Sequence, residues 1–466
     1  MEQERTFAES MSETPYQLRY SDILRVGTPV ATMNYHKLIP SNGSSYINLQ
    51  TIRLPFNVPT DSFANLKGAF IKLRVNNNGA GGNDVLRLDP CCGVGSLIST
   101  WRIVSGTGAL IEEIVNYNAI NAVMADLVGE QHRTGHMSLN EGCSNNKNIN
   151  SGSGSNQFDS PNIGGTASVS GGACKIGYGQ SKTFTHIPMS GFFQADRLSP
   201  IGFSNGTMYI EIVLPSLNFP FAVESESANA INWSVDNVEL HVPVLRMGNE
   251  FNQSFRELLA SGVPINWNSQ SYQNIQSNIA NGSTGENTII LSTRKRSVKS
   301  LITILRLTST LTHAEADSAS ARVGCACSEY NYEVGGTQIP NNKIKVSAEG
   351  ASGGQGVNGA DIGESFSHLV NCLANLGNVY TGTMMVRQNY LKADNSSSSR
   401  IAFGVDLESY GHSDVQSGMN LSGQGLPIVF RPTLGVVGGA INVDCYALHD
   451  VVYTLDGISG TITSSS

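Results

Sequence analysis

Between residues 405 and 431 the chain reads VDLESYGHSDVQSGMNLSGQGLPIVFR, which crowds Asp406, Glu408, His412, Asp414 and Ser417 together. These are the residue types of a hydrolase: a hydroxyl nucleophile, an imidazole to take its proton and a carboxylate to orient the imidazole. A triad is defined by geometry in the fold, however, so nearness in sequence neither requires nor supports one. The same stretch holds Gly411, Gly418, Asn420, Gly423 and Gly425, residues that reverse a chain between strands. We therefore read 405–431 as strand, loop and strand. Gly418 and Gly423 do not make a phosphate-binding loop either, because no Lys-Ser/Thr follows them.

Two other groupings carry chemical potential. His132 and His136 stand four apart near Glu130, a spacing that on a helix turns both imidazoles toward one metal ion. Gly129 and Gly135 interrupt that helix, so a solvated loop is expected. In TRKRSVKS, Arg294, Lys295, Arg296 and Lys299 could form an import signal or grip an anionic partner; a basic strand edge or a subunit contact is the expectation. The nine histidines contain no His-x-His, the usual metal motif of the two-domain jelly-roll enzymes called bicupins. The eight cysteines include Cys91, Cys92, Cys325 and Cys327 without repeated CxxC spacing, and are expected to be reduced and structural. No catalytic, cofactor-binding or metal-ligating residue is assigned.

The elements that must position these residues are mostly strands. Met208, Ile210, Ile212 and Leu214 alternate in GTMYIEIVLP, and Val238, Leu240, Val242 and Val244 do so in NVELHVPVL. Helical spacing is confined to short pieces: Ile120, Val123, Met124, Leu127 and Val128; Phe251, Phe255, Leu258 and Leu259; Phe366, Leu369, Val370 and Leu373. Gly129, Gly262 and Gly377 are positioned to stop them. Residues 137–183, and a second excursion at 308–362, lack periodicity and read as large surface loops.

Composition agrees with a turn-rich all-β protein. Charged residues are only 14% of the 466, against roughly 25% in an average domain, and Gly is abundant at 49. A net charge of −8 disfavours wrapping nucleic acid by phosphate neutralisation. The start MEQERTFAESMSETPYQLRY lacks a basic then apolar leader, so no secretory signal is expected, and no apolar run nears the roughly 18 residues of a membrane span. The protein is expected to be made soluble inside a cell. Sequons such as those at Asn42, Asn205 and Asn420 then carry little meaning.

The halves echo one another. HIPMSGFFQADRLSPIGFSNGTMYIEIVLP is followed by VELHVPVLRMG, and IAFGVDLESYGHSDVQSGMNLSGQGLPIVFRP by CYALHDVVYTLDG: a short strand, Ser-Gly, a turn-rich link, a strand and a closing strand. One β-domain used twice is expected. The division is an N-terminal arm at 1–44, a first jelly roll at 45–247, a helical connector at 248–288, a second jelly roll at 289–457 and a tail at 458–466.

These pieces, in this order, resemble the double jelly-roll major capsid proteins of eukaryotic DNA viruses, in the adenovirus-like lineage, and among them those of polinton-like viruses and virophages. The resemblance rests on the Ile-Pro-x-x-x-Phe-Phe segment of the first half, RKRSVKSLITILR at the start of the second, and Gln416, Ser417, Gly418, Asn420 and Ser422 near its end. It implies two eight-stranded sandwiches in tandem, with loops raised as towers at one end. It also implies a homotrimer whose six similar barrels tile an icosahedral shell, with the protein located in the virion. The partners it implies are neighbouring capsomers, penton and minor capsid proteins and, where one lies beneath the shell, an internal membrane, without sequence-specific nucleic-acid binding. The competing readings are a secreted or surface carbohydrate-binding sandwich or adhesin and, more distantly, a bicupin-like enzyme.

Overall fold

The computed structural model describes residues 31–79, 86–89, 91–128, 132–143, 175–216, 221–223, 232–309, 311, 319–346, 362–372, 390, 399–408, 417–423, 427–435 and 437–466. Where the sequence alternates, the backbone is extended and one face is buried. In the strand Met208–Val213, Met208, Ile210 and Ile212 lie inside while their neighbours stay half-exposed. In Trp233–Met247, Val238, Leu240, Val242 and Val244 line the buried face. Burying one face of such a strand removes its apolar side chains from water, at about 25 cal/mol per Å².

The described strands pair antiparallel throughout. One sheet runs in the order Ala31–Leu38, Trp233–Met247, Phe70–Asn77, Ser181–His186, and a second runs Thr51–Phe56, Met208–Val213, Thr100–Val104, Leu110–Val115. The C-terminal half repeats both orders. Ile265–Ile279, Ile441–Leu455, Val298–Leu307 and Phe403–Asp406 form one sheet; Gly285–Glu286 and Ile289–Leu291 both flank Ile428–Leu434, which continues to Glu329–Val334 and Thr337–Lys345 in the other. The three segments picked out by the echo occupy matching places: Ser181–His186 with Phe403–Asp406, Met208–Val213 with Ile428–Leu434, and Trp233–Met247 with Ile441–Leu455. This is a double jelly roll, all-β with short helices inserted.

Aromatic side chains join the sheets of the second sandwich. Tyr330 meets Phe403 at 5.0 Å, and the Tyr332 hydroxyl reaches Thr303 Oγ1 at 2.8 Å. In the first sandwich Trp101 packs edge-on against Phe193 at 5.5 Å. A small third sheet, Phe221–Val223, Leu86–Leu88 and Lys175–Ile176, is built from three connections that leave one end of the first sandwich.

Three of the expected boundaries move. Residues 31–38 are not part of a free arm but a strand, paired from Ala31↔Met247 to Leu38↔Leu240. Its first five residues are exposed, so the alternation of Ala31, Met33 and Tyr35 marks no core face. Residues 265–279 belong to no helical connector: they pair along their whole length with Ile441–Leu455. Their fully buried positions, Trp267, Ser271, Ile275 and Ile279, fall four apart, so alternation is diluted by Asn, Gln and Ser. In the tail, Ile462–Ser465 adds to the same sheet through Leu455↔Ile462.

Helices form at all three expected places. Tyr117–Leu127 is buried on every side rather than along one stripe. Asn249–Ala260 buries Leu259 and packs Phe255 against Phe63 and Phe203, while Phe251 and Leu258 stay exposed. Ile362–Asn371 buries Leu369. Gly262, at φ +81°, closes the second of these helices by donating its N–H to Leu259 O. Gly129, Gly377 and the central parts of the loops at 137–183 and 308–362 lie outside the described residues.

Candidate assembly site at the seam between the sandwiches

The two sandwiches are joined by buried polar contacts and a shared apolar core. Asn116 follows the strand Leu110–Val115 and takes a left-handed conformation, φ +50° and ψ 43°. From there its Nδ2 donates to Asp444 Oδ1 at 2.8 Å, and its carbonyl accepts from the Tyr446 hydroxyl at 2.8 Å. Asp444 Oδ2 accepts from Arg306 Nε at 3.0 Å and Nη2 at 2.6 Å, and both side chains are almost fully buried. Burial pushes the Asp444 carboxyl upward, but Arg306 and the amides of Asn116 and Asn274 outweigh it and hold it below its ordinary value.

A second contact is made by Glu112. It is buried on the strand Leu110–Val115 and receives the hydroxyls of Ser190 and Ser271, Gly191 N–H at 2.7 Å and Phe192 N–H at 3.2 Å. Ser271 belongs to the second sandwich, and from the same strand Ser269 donates to Gly191 O at 2.6 Å. Burial raises the Glu112 carboxyl despite these four donors. Below it Phe192 stands edge-on to Tyr453 at 5.1 Å.

A third contact brings Asp126, at the end of the buried helix, against Arg322, with Arg400 Nη1 at 3.5 Å, while Asp89 accepts from Ser320 N–H at 2.9 Å. At the rim, Asn205 N–H donates to Gly460 O at 2.7 Å and Ser464 to Ile111 O at 2.7 Å. A polar cleft of ≈440 Å³ remains between the halves, lined in part by Asn116, Gln276, Arg306 and Asp444.

The hydrolase-like stretch has a structural account. His412 and Asp414 lie outside the described residues. Glu408 and Ser417 do come together, Ser417 Oγ donating to Glu408 Oε1 at 2.7 Å, but the third member is Lys299, at 3.0 Å from Glu408 and 3.6 Å from Asp450. Asp406 accepts from Glu408 N–H at 3.0 Å. Lys299 is only 4% exposed, so the basic run does not present it as an edge or contact; it joins Glu408, just past the strand Phe403–Asp406, to Asp450 of Ile441–Leu455. Arg294 and Arg296 are exposed.

The echoed Ser-Gly pairs share one device. Ser190 and Ser417 each donate to a buried glutamate, and the glycine that follows each is pressed against backbone. A Cβ on Gly191 would lie 2.4 Å from Gln270 O, and one on Gly418 would lie 2.6 Å from Val298 O.

His132 and His136 are brought together, stacked at 5.2 Å on a helical segment that runs through Gly135 instead of breaking there. Both are exposed, His136 Nε2 pairs with Asn140, and Glu130 lies outside the described residues. Among the described residues no group of three His, Cys, Asp or Glu is placed to hold a metal ion. The described cysteines are buried, and burial pushes Cys325 and Cys445 up to about 12. No described helix is long and apolar enough to cross a membrane.

The seam residues escaped the sequence reading. Their one signal was a charge set among apolar residues, Arg306 in SLITILRL and Asp444 in NVDCYALH.

No family model and no curated protein matches this sequence. Solved structures do. The chain is similar to the PBCV-1 virus capsid, with a TM-score of 0.59 at 11% identity over 94% of this chain and 97% of that one. The Faustovirus major capsid protein gives 0.55 at 11% identity over 91% and 90%, and the Sputnik virophage structure 0.54 at 11% identity over 94% and 89%. The class defined by this likeness is a fold: the double jelly roll, found here over almost the whole chain and almost the whole of each neighbour.

Proposed function

We propose that this chain is the major capsid protein of a DNA virus, acting by self-assembly and not by catalysis. The observation that supports this best is the pair of sandwiches with one strand order, locked side by side through Asn116, Asp444, Glu112 and Ser271. A chain carrying two copies of one barrel in fixed relation becomes a six-barrel, nearly hexagonal capsomer when three copies meet, and such capsomers tile a flat facet. The fold likeness to the capsid structures adds to it.

The surface suits association. The edge strand Ala31–Leu38 exposes Tyr35 by 66% and Met33 by 53%, and Phe251, Leu258, Val263 and Ile458 are exposed around the helix Asn249–Ala260. Large apolar side chains left in water are a mark of surfaces that other subunits cover. Penton and minor capsid proteins are the further partners of this reading, and the virion its location. Native mass of the purified chain tests it: a particle of three times 49.7 kDa is expected, and a stable monomer at micromolar concentration would contradict it.

A further inference from the structure

We propose that the first sandwich carries a binding site for a neutral hexose. The site is a cleft of ≈380 Å³ at the end where strand Phe70–Asn77 finishes and Ser181–His186 begins, beside the small third sheet. It is lined by Arg74, Asn76, Asn78, Tyr178, Gln180 and Ser181. This proposal goes beyond the capsid reading and does not depend on assembly.

Sugars are recognised by planar amides and carboxylates that meet adjacent hydroxyls, and by an aromatic face that covers the apolar side of the pyranose ring. Both are present. Tyr178 sits on the turn between Lys175–Ile176 and Ser181–His186 with 46% of its surface exposed. The turn is fixed by Gly179 at φ +63° and by Gln180 N–H on Gly177 O at 3.0 Å. The amides are held by a network that orients them. Asn76 Nδ2 donates to Asp236 Oδ2 at 3.0 Å and Ser234 Oγ at 3.2 Å, and Asn78 Nδ2 donates to Ser234 Oγ at 2.9 Å. Both donors of Asn76 and one of Asn78 are thus engaged, which leaves the Oδ1 atoms as acceptors for hydroxyl protons and one Asn78 N–H as a donor.

The charge of the ligand follows from Arg74. Among the described residues it is the one cation lining the cleft, and Asp236 holds it through Nε at 2.6 Å and Nη2 at 2.8 Å. A guanidinium already paired with a carboxylate offers little to a sialic or uronic acid, so a neutral sugar is the better fit.

The test is saturation-transfer NMR and titration of the full chain with methyl glucoside, methyl galactoside and methyl mannoside, alongside sialic acid. One neutral hexoside should bind with Kd on the order of millimolar, as a weak monosaccharide site does. Its ring protons should take up saturation most strongly on the apolar face. Tyr178→Ala should weaken binding about tenfold while Tyr178→Phe keeps it, because the ring and not the hydroxyl makes the platform. Failure of all three hexosides to bind overturns the proposal, as does tighter binding of sialic acid or unchanged binding by a folded Tyr178→Ala protein.

Discussion

Asn116 and Asp444, 328 positions apart in the chain, meet side chain to side chain at 2.8 Å and tie the first sandwich to the second. Behind Asp444 stands Arg306, so the contact extends a buried ion pair. Removing one member of such a pair strands the other. Asp444→Ala should cost about 3 to 5 kcal/mol by leaving Arg306 uncompensated, whereas Asn116→Ala, which removes one hydrogen bond to a charged group, should cost about 1.5 to 3. Chemical denaturation of the two variants checks the order, and an Asp444→Ala protein as stable as wild type would refute the role given to the pair.

Gly191→Ala probes the seam without touching a charge. The added methyl points at Gln270 O, a backbone atom of the other sandwich that cannot swing aside. Overpacking of this kind costs about 1 to 3 kcal/mol. The loss should be accompanied by faster proteolysis at the connector between the halves. Gly418→Ala, which presses on Val298 inside one sandwich, should lower the melting temperature without that effect.

Two seam carboxyls give opposite pH slopes. Asp444 holds its proton less tightly folded than unfolded, so its stabilisation is present above the ordinary aspartate value and is lost as pH falls below it. Glu112 is raised by burial, binds its proton more tightly when folded, and makes the protein less stable as pH rises through the ordinary glutamate value toward the raised one. Melting temperatures of wild type and Glu112→Gln across pH 4 to 8 should therefore draw together as pH rises, to the extent that wild type leads at the acidic end. A lead that widens with pH would show that Glu112 is not raised.

Much of the fold was legible in the sequence because half-buried strands leave a period-2 trace. Met208 to Leu214 and Val238 to Val244 are such strands, and their repetition in order exposed the duplication. The strand Ala31–Leu38 carries a short alternation in Ala31, Met33 and Tyr35, but that apolar side is exposed at a sheet edge, and the segment was read with the polar arm before it. Ile265–Ile279 was hidden by Asn, Gln and Ser at positions where the partner is the other sandwich's polar seam, as the contact of Ser271 with Glu112 shows. Of the hydrolase-like cluster, Glu408 and Ser417 come together, and Lys299, placed by the sequence in a surface run, is buried beside Glu408. Contacts between Asn116 and Asp444 depend on how two domains lie together, and no local pattern encodes that.

The most direct measurement is electron microscopy of the purified chain in negative stain, classified without imposed symmetry. The account predicts particles with six lobes around a three-fold axis, each pair of neighbouring lobes contributed by one chain whose sandwiches are fixed by Asn116 and Asp444. Two-lobed particles only, at concentrations where the subunit is soluble and folded, would contradict it.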